Sequence, residues 1–76
     1  MDRQIGEQIQ RIRKAKGISQ ADLARASGLA QSFISSVESG QKSPTVRSLI
    51  KLAEALGVPP EKILELCRKQ DERKSG

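Results

Sequence analysis

Apolar residues along this chain recur every three to four positions, the period of one helix face, and nowhere alternate strictly as a half-buried strand requires. Ile5, Ile9 and Ile12 fall at i, i+4 and i+7 with Glu7, Gln8, Arg11 and Lys14 around them. This predicts an amphipathic helix over ~3–15 that stops at Gly17. Ser19, with Asp22 three residues later, makes a capping-box-like start for a second helix over ~20–26, ending at Ser27 and Gly28. A third helix, ~31–38, turns Ile34 and Val37 inward; its N-cap position is Ala30, an alanine that forgoes about 1 kcal/mol of side-chain capping. Beyond Gly40 and the loop Q-K-S-P-T, a fourth helix capped by Thr45 or Ser43 carries Leu49, Ile50, Leu52, Ala53 and Leu56. It is the most apolar element, expected at the centre of the core, and it ends at Gly57. Pro60 suits a first helical position and Glu61 the positive helix end, which predicts a fifth helix over ~60–69 with Ile63, Leu64, Leu66 and Cys67. Residues 70–76 have no apolar side chain and are expected to form a flexible charged tail after a single domain of residues 1–69.

The stretch from Ser19 to Gly40, S-Q-A-D-L-A-R-A-S-G-L-A-Q-S-F-I-S-S-V-E-S-G, holds the second and third helices and the short turn between them. Two helices crossing steeply need a small side chain where they touch, and a tight turn commonly needs a left-handed residue. Ala24 and Gly28 meet those demands, with Leu23, Leu29, Ile34 and Val37 at inward spacings. The unit fits a helix-turn-helix. Its spacing resembles the DNA-binding unit of the lambda-repressor-like (Cro/C1, Xre) family, and the resemblance extends over roughly residues 3–66. It implies an all-α fold of five helices and sequence-specific binding of double-stranded DNA by a transcriptional regulator.

Charge changes the picture modestly. Fourteen Lys and Arg against nine Asp and Glu leave a net charge of +5. Residues 1–57 hold nine bases and five acids, a balance of +4, and residues 58–76 hold five and four, a balance of +1. The excess sits with the helix-turn-helix, where a positive field favours polyanions. There is no histidine and one cysteine, so neither a nucleophile–base pair nor a metal cluster is visible; no enzyme activity, cofactor or small-molecule ligand is expected. Cys67 reads as a buried structural thiol. With no signal-like run at M-D-R-Q-I-G-E-Q and no stretch near the ~20 apolar residues a bilayer demands, a cytoplasmic protein without a membrane partner is expected.

The resemblance assigns roles. In such repressors the second helix of the motif lies in the major groove, which makes Gln31, Ser32, Ser35 and Ser36 the candidates for base contact. Gln31 leads them, since an amide pairs bidentately with adenine N6 and N7. Gln20, at the first position of the motif, corresponds to a glutamine that bonds a phosphate and braces the recognition helix; Ser39 and Lys42 lie where the family's loop touches the DNA backbone. Arg13 and Glu38 match a pair that joins the first helix to the end of the recognition helix, and Phe33 is favoured as a packing residue over a contact to a thymine methyl.

One recognition helix covers only roughly 4–5 base pairs in this docking mode, so a homodimer on a pseudo-palindromic operator is expected. Ile63, Leu64, Leu66 and Cys67 are the candidate interface, as in one-domain relatives such as restriction-modification controller proteins. Two alternatives stay open at this point. One is an antitoxin- or adaptor-type protein-interaction module with secondary DNA binding. The other is RNA binding or coactivation on the same fold, which the lack of aromatic stacking platforms disfavours.

Overall fold

The computed structural model describes residues 2–75, with side chains from Gln4 to Arg68. Five helices follow one another with no strand among the described residues: α1 (Asp2–Ala15), α2 (Gln20–Ser27), α3 (Gln31–Glu38), α4 (Val46–Leu56) and α5 (Pro60–Ser75). Local chemistry sets most boundaries. Ser19 Oγ accepts from the Asp22 backbone N–H at 3.0 Å and starts α2. Thr45, not Ser43, caps α4, with its Oγ1 accepting from Ser48 N at 3.1 Å. No side chain caps α3 at Ala30.

The α2–α3 turn closes on Ala24, whose carbonyl accepts from Gly28 N at 2.9 Å and Leu29 N at 3.2 Å. Gly28 sits at φ 73°, a left-handed conformation that a Cβ would strain. Ser27 wraps the same turn: its hydroxyl donates to the Ala24 carbonyl and accepts from Leu29 N, both at 3.3 Å.

α1 packs on α3 and α5, α2 on α3 and α4, and α4 on α5 and α1. Between them lies a core of Ile9, Leu23, Ile34, Val37, Leu49, Leu52, Ala53, Leu56 and Ile63, with Ile5, Ile12, Leu29 and Phe33 packed against it. Phe33 is therefore a packing residue in this fold.

Three expectations need correction. Ile50 is not a core residue of α4. Leu49, Leu52, Ala53 and Leu56 form the buried stripe, whereas Ile50 lies about 100° round the helix with Val46, and these two are 40% and 76% exposed. Helix five does not stop near residue 69. Its backbone stays helical to Ser75, because R-K-Q-D-E-R-K contains helix-favouring residues and neither Gly nor Pro. Gly76 and the side chains from Lys69 onward, part of the expected tail, lie outside the described residues.

The third correction concerns the candidate interface. Ile63 and Cys67 stand one turn apart on the inward face of α5, fully buried and 5% exposed respectively, so they serve this chain's own core and present nothing to a partner. Leu64 is 48% exposed and Leu66 half-buried.

Candidate nucleic-acid interface

α3 divides sharply between its two sides. Ile34, Val37 and Glu38 are buried, while Gln31, Ser32 and Ser35 are exposed and Ser36 is half-buried. Four polar side chains thus line the outward surface of one helix, Gln31 above Ser35 and Ser32 above Ser36 at i, i+4. With no side-chain cap at Ala30, the first-turn N–H groups of α3 point along the axis beside Gln31, at the positive end of the helix.

A buried polar clamp fixes the other end of the helix. Arg13 Nε donates to Glu38 Oε2 at 2.7 Å and Arg13 Nη2 to Glu38 Oε1 at 3.0 Å, a bidentate pair whose side chains are 10% and 2% exposed. Arg13 Nη1 donates to the Ile18 carbonyl at 2.8 Å, and Gln20 Nε2 donates to Glu38 Oε1 at 3.0 Å. Two chain segments therefore converge on the Glu38 carboxylate, α1 through Arg13 and α2 through Gln20, while the α1–α2 loop holds the Arg13 guanidinium through the Ile18 carbonyl. The hydrogen bonds to Glu38 hold the Arg13 guanidinium above its ordinary pKa against the opposing pull of burial, so it stays charged in all practical conditions.

Two residues expected at phosphates have partners within the protein. Gln20 performs the bracing half of its expected role, with its amide nitrogen already donating to Glu38. Ser39, exposed on the surface, donates its hydroxyl proton to the Ser36 carbonyl at 3.1 Å. The same carbonyl accepts from Gln41 N at 2.9 Å and Lys42 N at 3.2 Å, folding the loop back over the end of α3. Lys42 is exposed on that loop.

On the outer surface of α2, Arg25 Nη2 pairs with Asp22 Oδ1 at 2.6 Å, and both side chains are largely exposed. The Arg25 hydrogen bond, followed by that of Ser19, holds the Asp22 carboxyl below its ordinary value of 3.8.

Sequence reasoning passed over Gly6, Ser27 and the Ile18 carbonyl. An isolated glycine inside a helical pattern marks a close backbone approach, and Ser before Gly marks a turn, so signals for the first two were present. Nothing local marks a backbone carbonyl as the third ligand of an arginine.

Two short helices joined by a tight turn at Gly28, the second with an exposed polar face and a clamped far end, form a helix-turn-helix of the DNA-binding kind. The chain belongs to the Helix-turn-helix family (HTH_3), whose model matches residues 9–63. It is 41% identical over 58 residues to the uncharacterized HTH-type transcriptional regulator y4dJ of Sinorhizobium fredii, covering 76% of this chain and 75% of that one. It is 37% identical to the HTH-type transcriptional regulator SinR of Bacillus subtilis, covering 80% of this chain but only 56% of SinR.

Among solved structures, the restriction-modification controller protein C.AhdI of Aeromonas hydrophila superposes with a TM-score of 0.78 at 38% identity, covering 80% of this chain and 92% of that one. The controller C.Esp1396I, solved as a tetramer in complex with its natural 35 base-pair operator, gives 0.81 at 31% identity, with 88% of each chain covered. The five helices and the relatives named as transcriptional regulators and controller proteins agree with a regulator fold. No described helix is long and apolar enough to cross a membrane, and no described cluster of His, Cys, Asp or Glu suits a metal ion.

Proposed function

We propose that this transcriptional regulator binds a pseudo-palindromic operator as a homodimer, one α3 entering the major groove of each half-site. The observation that carries the reading is the division of α3: an exposed Gln31, Ser32, Ser35 and Ser36 face on a helix whose other side is locked by the buried Arg13–Glu38 pair. A side chain discriminates bases only when its backbone is held still, and the clamp supplies that stillness. Gln31 reads adenine through its amide, the serines donate or accept at neighbouring base edges, and Lys42 attracts phosphate without reading sequence.

The basic balance of +4 over residues 1–57 and the operator-bound structure of the C.Esp1396I tetramer support the DNA partner. A DNA-binding regulator with bacterial relatives acts in the cytoplasm, where its operator lies. Leu64 on α5, 48% exposed, is the candidate contact between copies, with Leu66 at its edge. The test is competition in solution: duplexes selected from a random pool are titrated against the protein with either unrelated duplex or RNA hairpins as competitor. Displacement by RNA hairpins at or below the concentration that unrelated duplex requires would reject the DNA reading.

A further inference from the structure

Gly6 is buried in α1 on the stripe that carries Ile9 and Arg13. A Cβ built on Gly6 would overlap the carbonyl oxygen of Val37 and stand 2.9 Å from its carbonyl carbon and 3.1 Å from Glu38 Cα. All three atoms belong to the backbone of the last turn of α3, so no side chain can swing aside to make room. Seven residues, or about 10 Å along the helix, separate this approach from Arg13, which grips the Glu38 carboxylate through two hydrogen bonds. A single anchor would fix a distance between α1 and α3; two anchors spaced along α1 also fix a tilt.

We propose that Gly6 is a positioning residue for DNA recognition: by letting the Val37 carbonyl rest against the α1 backbone while Arg13 holds Glu38, it sets the depth and tilt at which α3 presents Gln31, Ser32 and Ser35. The inference rests on the reading of α3 as the groove helix. A methyl group at this position forces the two backbones apart by on the order of 1 Å. Because α3 is a hydrogen-bonded rod, that shift travels to Gln31. The working range of a hydrogen bond, roughly 2.7–3.2 Å, is narrower than the displacement, so base contacts fail first. A long, solvated Lys42 follows the shift and keeps its phosphate.

The test compares wild type with Gly6→Ala and, as a second route to the same tilt, Arg13→Lys, which keeps the cation but loses the planar fork. Each is titrated by fluorescence anisotropy against the duplex that the wild type selects from a random pool and against a scrambled duplex of equal length, under conditions where circular dichroism shows the variant folded. The expected result is a loss of at least tenfold for the selected duplex with a change of no more than about twofold for the scrambled one. Equal loss on both duplexes, or no loss on either, in whichever variant folds would overturn the proposal by leaving α1 a purely structural role. A wild type that selects no duplex at all would instead reject the groove-helix reading on which it rests.

Discussion

Replacing Glu38 by alanine is the sharpest way to weigh the clamp that holds α3. The carboxylate is 2% exposed and accepts from Arg13 Nε, Arg13 Nη2 and Gln20 Nε2. Removing it strands the Arg13 guanidinium, itself only 10% exposed, with the Ile18 carbonyl as its remaining protein partner. Breaking one side of a buried ion pair costs about 3–5 kcal/mol, because an uncompensated charge is left in a poorly solvated place. A domain of 76 residues has roughly 4–11 kcal/mol to lose. At about 4–8 °C per kcal/mol for a chain of this size, Glu38→Ala should lower Tm by at least roughly 12 °C.

The exposed Arg25–Asp22 pair is the internal control. Its side chains are 77% and 58% exposed, so Arg25→Ala should cost no more than about 0.5 kcal/mol. The double variant Arg13→Met, Glu38→Leu removes both charges and should recover most of the loss, short of the bonds to Ile18 and from Gln20. Thermal and urea unfolding followed by circular dichroism, applied also to Arg13→Met and Glu38→Leu singly, would complete the double-mutant cycle. A Glu38→Ala chain within about 1 kcal/mol of wild type would refute the argument that the pair is desolvated and strongly coupled.

Other outcomes follow from the same structure. Binding to duplex DNA should weaken steeply with salt, with a log–log slope of roughly −4 to −8 for a dimer; a flat titration would deny the phosphate contacts their weight. Leu64→Glu should remain folded yet sediment as a monomer with weak operator binding, whereas Ile63→Glu should not fold, because Ile63 is fully buried; a folded dimer from Leu64→Glu would move the interface elsewhere. Asp22 has a lower pKa folded than its ordinary 3.8, so its contribution is present above that value and disappears as pH falls through the depressed one. Melting temperatures of Asp22→Asn should therefore fall less between pH 5 and pH 2 than those of the wild type, and parallel curves would contradict the assignment.

Helix positions were legible because their causes are local. Ser19 and Thr45 cap from within three residues, and Gly28 ends α2 by its own backbone conformation. The ion pair of Arg13 and Glu38, 25 residues apart, was reachable only through the family resemblance. What escaped depends on how finished helices rotate against one another. Counting apolar residues on α5 put Ile63, Leu64, Leu66 and Cys67 in one group, although a helix has two sides and only Leu64 faces well outward. Ile50 was misassigned for the same reason, one step round from a buried stripe that the core had already filled. Gly6 has meaning only once the carbonyl of Val37 lies against it, a contact made across 31 residues of chain. The bond from Ser39 to the Ser36 carbonyl is of the same kind, set by how the loop folds back over the end of α3.

Whether Gln31 on a rigidly held α3 reads bases while Lys42 only attracts the backbone is decided by parallel selections from one random duplex pool. Wild type, Gln31→Ala and Lys42→Ala would be carried through the same rounds at the same salt, and the enriched motifs compared. Two equal half-sites are expected for the wild type, and the same motif, more weakly enriched, for Lys42→Ala. Gln31→Ala should relax one position in each half-site, worth about 1–3 kcal/mol of discrimination there. An unchanged motif from Gln31→Ala, or no motif from the wild type, would contradict base reading by Gln31.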